Sequence, residues 1–338
     1  MDQNLERTLG EWGRHLAGFD LQPLLTRLTK LRLALLAVHR GASQSGSGPI
    51  DIDRFFPLIR TGDGMAPWNL PPVTVLVNPP FTRVTAPVSC TWGAGSVSRA
   101  ALFVESCLNQ SPRPRYIHAI LPDVLRTGSR YQKWRSLVSE AAEVSAVTTI
   151  GLFDRWTDVD VFTVKFKVSA VGIPRMDNQP VDWGTPPITT DERVDDKFRI
   201  RVGSVVAYRH EHTGDSFPYA HTNVLPAWGK ISDLPEQIRS RGGALRPPFV
   251  LIRRTSRPED RFRAVGTIIT GMRPVAVENH LLVAIPKDRT VRTCRELLTV
   301  LRNSETSDWL NKRIRCRHLT VGAVSEIPWR PIMEEPNE

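Results

Sequence analysis

Three short places in the sequence combine residue types that could do chemistry. Asn78-Pro79-Pro80-Phe81 closes the apolar run VTVLV (residues 73–77), Asp20 ends the stretch LAGFD, and Asp63 sits in the turn-like TGDG. An amide offers a carbonyl acceptor and N–H donors, a carboxylate only accepts, and an aromatic ring gives a flat face for stacking. Two successive prolines fix φ and remove two backbone donors, so the carbonyls of such a loop hold set directions. A plain turn is the other reading of these letters, because proline ends strands and Asn favours turns. Order and spacing along the chain have to decide between the two.

The elements that would carry these residues follow from periodicity. Leu5, Leu9, Trp12 and Leu16 recur at three- and four-residue intervals, the spacing of an amphipathic helix. HLAGFD (15–20) reads as a short strand ending on Asp20, and LQPLLTRLTKLRLALLAV (21–38) as a longer helix with a strongly apolar face. GASQSGSG (41–48) is a flexible loop, and FFPLIRTGDGM is a strand running into the loop of Asp63. After the strand that ends at Asn78, a helix is expected from about Ser98 to Leu108, then a strand entering a loop in RYIHAILPDVL. SRYQKWRSLVSEAA predicts a helix, and VSAVTTIGLF and VDVFTVKFKVSA predict strands. Strands alternating with helices imply βαβ units and a mainly parallel sheet, whose functional groups gather at the carboxyl ends of strands. Asp20, Asp63 and Asn78 all fall at strand ends, which is the first sign of one shared site.

Asn-Pro-Pro-aromatic at the end of such a strand resembles the catalytic loop of the N6-adenine-specific DNA methyltransferases, of the restriction-modification type. LAGFDLQP (16–23) resembles the second strand of these enzymes and IRTGDGM (59–65) the segment that follows with a second acid. AILPDVLRTGSRYQKWRSLV resembles the family's strand-Leu-Pro-loop-helix, and LFDRWTDVDVFTVKFK its closing hairpin. The likeness runs in the family's order through most of residues 10–168. It implies S-adenosylmethionine as cofactor, with Asp20 on its ribose hydroxyls and Asp63 near its adenine amine. It further implies that Asn78 and the Pro79 carbonyl accept hydrogen bonds from the target amine of a flipped-out adenine, and that Phe81 stacks on the base. Phe stands where the family more commonly has Tyr, keeping the π face without the hydroxyl.

Charge points to the rest of the chain. The net charge is +10, from 45 Lys and Arg against 35 Asp and Glu. Residues 239–317 hold 18 of the basic and 7 of the acidic residues, so this stretch carries the whole surplus, as expected of a polyanion-binding region. PPFVLIRRT, ENHLLVAIP, LLTVLRNSETSDWLN and LTVGAVSEIPW resemble the target-recognition region of restriction-linked adenine methyltransferases. Arg253, Arg254, Arg313, Arg315 and Arg317 are candidates for contacts to double-stranded DNA, with a solvated basic face as the alternative. TCRELLTVLRNSETSDWLNKRI predicts one interrupted helical element.

The expected architecture is α/β: a Rossmann-like methyltransferase sheet, N-terminally incomplete, followed by a smaller, basic α+β target-recognition domain. Residues 1–170 form the catalytic domain, and 171–338 the proline-rich linker plus DNA target-recognition domain. No run nears the roughly 18 apolar residues of a membrane helix. Cys90, Cys107, Cys294 and Cys316 are scattered, without metal-ligand spacing, as in a reduced cytoplasmic protein.

The family pattern breaks at one point. A first strand and a glycine-rich cofactor turn should precede Asp20, yet Gly10 and Gly13 lie inside a helical pattern. WGAGSVSRA (92–100) has glycines before a helix, but it follows Asn78 whereas the acids precede it. Three explanations stay open: a partner subunit carrying the glycine loop, a truncated start, or a catalytically inactive DNA-binding module derived from such an enzyme. Glutamine methyltransferases of release factors share the Asn-Pro-Pro-aromatic loop, but usually place their extra domain ahead of it.

Overall fold

The computed structural model describes residues 3–46, 48–68, 74–169, 183–184, 192–206 and 213–331. Most of the expected linker, 171–191, lies outside the described residues. The chain divides into two compact units, Met1–Val75 with Leu102–Ile117, and Leu76–Ala101 with His118–Glu338.

In the first unit, helix α1 (Leu5–His15) buries Leu5, Leu9 and Gly13 along one side. Asn4 opens it, its side-chain oxygen accepting the Arg7 N–H at 3.0 Å and so satisfying one of the free donors of the first turn. Gly13 is needed for packing: any side chain there would collide with the Phe55 carbonyl. Strand β1 (Gly18–Asp20) follows, then α2 (Pro23–His39), with a proline in the first turn where no N–H is missed. β2 (Ile59–Thr61) pairs with β1 in parallel, Gly18 opposite Ile59 and Asp20 opposite Thr61. Leu5, Leu9, Ala34, Ala37, Phe56 and Ile59 form the core of this unit.

The helix over 23–39 forms where periodicity predicts it, but its apolar face is not its buried face. Its inward side holds the small residues Thr26, Ala34 and Ala37 with Leu33 half-buried beside them, and its other leucines stand outward. Periodicity locates an apolar stripe; it does not say what covers it.

The second unit carries the sheet expected to hold the reaction. β3 (Thr74–Val77) ends at the Asn78 loop and is followed by a hairpin of β4 (Arg83–Thr85) and β5 (Ser96–Ser98). Gly95, with φ at +66°, belongs to this hairpin, its carbonyl taking the Ala86 N–H at 2.7 Å. Next along the chain come α3 (Arg99–Leu108), most of which belongs to the first unit, and then β6 (Tyr116–Pro122), α4 (Asp123–Thr127) and α5 (Gln132–Ala141). β7 (Ala142–Leu152) and β8 (Asp160–Val168) close it as an antiparallel hairpin, and the four strands lie in the order β3-β6-β8-β7.

Beyond residue 192 in the same unit, β9 (Phe198–Val202), β10 (Asp215–Ala220), β11 (Lys230–Ile231) and β12 (Gln237–Ser240) precede β13 (Phe249–Arg253). β14 (Gly266–Ile269), β15 (Ala276–Val277) and β16 (Leu281–Pro286) complete the strands. A five-stranded sheet runs β9-β16-β13-β14-β11, and a smaller one β12-β10-β15. Strands β13 and β16 are unbroken apolar runs because both faces are covered. Val250, Ile252, Leu282 and Ala284 meet one core, while Phe249, Leu251, Leu281 and Val283 meet the other. Helices α6 (Val291–Arg302), α7 (Ser304–Arg313) and α8 (Val321–Ser325) contribute to the first of these cores. The expected interruption of the long helix falls at Asn303, whose side chain accepts the Glu305 N–H at 3.0 Å and restarts the helix as its N-cap.

Candidate active site and nucleic-acid interface

β3 delivers the Asn-Pro-Pro-Phe loop. Asn78 and Pro80 are exposed, Pro79 is buried, and Phe81 is half-buried. The buried proline anchors the loop while the Asn78 amide faces outward, with no hydrogen bond among the described residues. Phe81 meets Phe153 edge to face, with ring centroids 5.3 Å apart and planes at 85°, a geometry that aromatic quadrupoles favour.

Phe153 stands just past the end of β7, and the hairpin's own chemistry places it there. Its N–H donates to the Val159 carbonyl at 2.9 Å. Asp154 accepts from the N–H groups of Trp156 at 2.7 Å and Thr157 at 2.6 Å. The Trp156 N–H is the main cause holding the Asp154 carboxyl below its ordinary range. Ahead of the turn, Val161 pairs with Gly151 and Phe162 with Thr149, so Ile150 is a bulged residue. Gly151 adopts φ of +102°, which glycine supplies without strain, and such bulges re-aim the end of a hairpin. Trp156 is 80% exposed, with the Arg155 guanidinium 4.4 Å from its ring centre. Sequence reasoning recognised LFDRWTD as part of a hairpin but gave Phe153, Arg155 and Trp156 no role. Two aromatics at a hairpin turn were the signal available.

The two acids belong to the first unit. Asp20 ends β1 and Asp63 follows β2, so the parallel pairing sets them at the same carboxyl edge. Asp20 accepts the Gln22 N–H at 2.8 Å and Asp63 the Met65 N–H at 2.9 Å, each through its Oδ1. The second oxygen of each carboxylate has no hydrogen bond among the described residues. Such oxygens can accept from hydroxyl or amine donors, which fits the ribose and adenine ends of an adenosyl cofactor. The glycines ahead of Asp20, Gly10 and Gly13, are helical in α1.

The five arginines singled out in the basic half are all partly buried and hold other parts of the second unit. Arg253 donates to the Leu225 carbonyl at 3.0 Å, and Arg254 to those of Leu319 and Asn279, both at 3.4 Å. Arg313 grips Glu326 with two hydrogen bonds, at 2.6 and 3.2 Å, and reaches the Thr127 carbonyl at 3.3 Å. Arg315 pairs with Asp160 at 2.9 Å, and its backbone N–H donates to Asp123 at 3.1 Å. Arg317 pairs with Asp158. Asp158 and Asp160 lie at the β7–β8 turn, so these last two arginines brace the turn that carries Phe153. A cleft of about 380 Å³ opens beside them, lined by Thr149, Ile150, Asp308, Asn311, Lys312 and Arg315. Arg241, Arg246 and Arg295 are exposed.

At the heart of these ties is a fully buried ion pair, Arg126 to Asp123 at 2.7 Å. The remaining guanidinium hydrogens of Arg126 go to the carbonyls of Gly184 at 2.7 Å, Lys312 at 3.1 Å and Trp183 at 3.4 Å. Burial raises the Asp160 carboxyl above its ordinary range, even against the hydrogen bond from Arg315.

No family model matches the chain, and no curated protein does. Solved structures do. The type IIL restriction-modification enzyme MmeI, in complex with DNA, is 12% identical over 96% of this chain, with a TM-score of 0.54. A component of a type I restriction-modification system is 16% identical over 48% of this chain and 41% of its own, with a TM-score of 0.29. A protein of Listeria monocytogenes described as a class I S-adenosylmethionine-dependent methyltransferase is 16% identical over 44% of this chain and 52% of its own, also at 0.29. The chain spans 64% of the length of the MmeI chain and about half or less of the other two. Through nearly its whole length, this mixed α/β chain shares the fold of part of the type IIL restriction-modification enzyme MmeI.

Proposed function

We propose that the chain is the catalytic and target-recognition portion of a DNA adenine-N6 methyltransferase of a restriction-modification or phage-defence system. The observation that carries this is the Asn78-Pro79-Pro80-Phe81 loop at the end of β3, its amide outward and its ring set against Phe153. In this reading the Asn78 Oδ1 and the Pro79 carbonyl accept hydrogen bonds from the exocyclic amine of a flipped-out adenine. Accepting both draws electron density onto the nitrogen and orients its lone pair. Phe81 stacks on the base, and the prolines leave no backbone N–H in the loop to compete with the amine for those carbonyls. Asp20 and Asp63 hold the ribose hydroxyls and the adenine amine of S-adenosylmethionine, which when bound supplies the electrophilic methyl group. The fold shared with MmeI, an enzyme solved with DNA, supports double-stranded DNA as substrate.

The glycine turn that would face the methionine end of the cofactor lies, in this proposal, outside helix α1, on a partner polypeptide or on a longer form of this chain. The helical placement of Gly10 and Gly13 favours that, and it equally favours a second reading, a DNA-binding module without methyl transfer. Tritium transfer from S-adenosylmethionine to unmethylated DNA separates the two, measured with and without the product of the adjacent upstream reading frame. Methyl transfer by the wild type, abolished in Asn78→Ala with DNA affinity unchanged within about twofold, is the expected result. DNA binding with no transfer in either protein under either condition leaves the binding module.

A further inference from the structure

Leu24, Leu28, Leu31, Leu35 and Val38 of α2 follow one another at spacings of four, three, four and three residues. On a helix that spacing is one continuous seam. These side chains are 73%, 43%, 43%, 60% and 50% exposed. Single exposed leucines need no explanation, but a seam of five does. The opposite side of α2 is already fixed: Thr26 hydrogen-bonds Thr61 at 3.2 Å, Lys30 pairs with Asp53 at 2.8 Å, and Ala34 and Ala37 lie in the core with Leu5 and Leu9. Rotating the helix to hide the leucines would break all of these.

Charge says what kind of surface the seam fits. Residues 21–40 contain no Asp or Glu, and the exposed Arg27 and Arg32 flank the seam. With Leu28 and Leu35 at the a positions of a heptad, Arg27 falls at g and Arg32 at e, the positions whose charges choose a partner. A second copy of α2 would set arginine against arginine with no acid to pair.

We propose that this seam is a docking surface for one amphipathic helix of a partner polypeptide, apolar along its own a and d positions and acidic at e and g. The surface stands apart from the methyl-transfer reading, since it uses none of Asp20, Asp63 or Asn78. Two fluorescent synthetic helices test it, identical in their leucine seam and carrying either Glu or Lys at e and g. Each is titrated with the full chain by fluorescence anisotropy. The Glu helix is expected to bind at least tenfold more tightly than the Lys helix. Leu28→Glu with Leu31→Glu should weaken that binding more than tenfold, and Arg27→Glu with Arg32→Glu should reverse the preference. All four positions are exposed, and urea unfolding of the variants checks that the fold is kept. No binding, equal binding of the two helices, or binding indifferent to these substitutions overturns the proposal. A dimer in sedimentation velocity that Leu28→Glu with Leu31→Glu disperses assigns the seam to a second copy and also overturns it. Flotation on phosphatidylglycerol vesicles that the same variant abolishes assigns it to a lipid surface, with the same consequence.

Discussion

Phe81 and Phe153 show how a site can depend on residues far apart in sequence. A base stacked on Phe81 would find the edge of Phe153 close by, so the second ring limits how Phe81 can turn and helps preorganise the platform. Stacking of a base on an aromatic ring is worth about 1–3 kcal/mol per base. Phe81→Ala is therefore expected to lower kcat/KM for DNA methylation by about that much in free energy. Phe153→Ala, which leaves the platform but frees it to move, should cost less, and Phe153→Leu less still. Steady-state kinetics on unmethylated DNA checks the order. A Phe153→Ala enzyme as active as the wild type would show that Phe81 needs no support. Phe81 is singled out by the sequence because it sits in a contiguous motif. Phe153 is not, because its approach depends on the hairpin register and on the bulge at Ile150, which no local pattern states.

At the scale of elements, the stretch AILPDVLRTG is expected as a strand running into a loop; the strand forms, but Asp123–Thr127 is the short helix α4, and its charges do unexpected work. Arg126 is among the larger side chains that are fully buried, and it joins α4 to the carbonyl end of α7. Removing one partner of a buried pair leaves an uncompensated charge and costs about 3–5 kcal/mol. Arg126→Ala should lower the urea midpoint accordingly, whereas Arg126→Ala with Asp123→Ala should recover part of the loss. A single variant as stable as the wild type would show that water or another group replaces the guanidinium. Asp160 makes a pH prediction of opposite sign to the usual carboxylate. Its folded-state proton affinity is raised by burial, so the folded chain holds that proton more firmly than the unfolded chain. Stability from this group is present at low pH and is lost as pH rises from the ordinary value of 3.8 through the raised one. Asp160→Asn should remove that fall, so variant minus wild-type stability grows with pH between about 4 and neutrality in urea melts. The longer helices and the apolar strands β13 and β16 were legible because periodicity and apolar runs are local, whereas β9 to β12 were not singled out. The covering of α2 and the internal partners of Arg313, Arg315 and Arg317 were not legible, since both depend on neighbours distant in sequence.

Over the whole molecule, composition overstates the charge available to DNA. The basic half from 239 to 317 holds 18 Lys and Arg, yet Arg263 is fully buried. Its guanidinium is bound to Ser256, Asn311 and the Cys316 carbonyl, and burial lowers its proton affinity. Arg253, Arg254, Arg313, Arg315 and Arg317 are likewise engaged within the second unit. If the chain binds DNA as proposed, its phosphate contacts fall to exposed residues such as Arg241, Arg246 and Arg295. Neutralising phosphates releases condensed counterions, so log affinity falls linearly with log salt, by about 0.9 per contact. Wild-type binding to duplex DNA should accordingly weaken steeply between about 50 and 200 mM salt. Alanine at an exposed arginine that meets a phosphate should reduce the slope by about 0.9 while leaving the urea midpoint alone. Arg254→Ala should do the reverse, lowering the midpoint and leaving the slope unchanged, because its hydrogens hold the Leu319 and Asn279 carbonyls. If Arg254→Ala flattens the slope as much as the exposed substitutions do, the inner arginines turn outward to DNA on binding. If the wild-type affinity does not respond to salt at all, the basic half is a solvated face and DNA is met elsewhere.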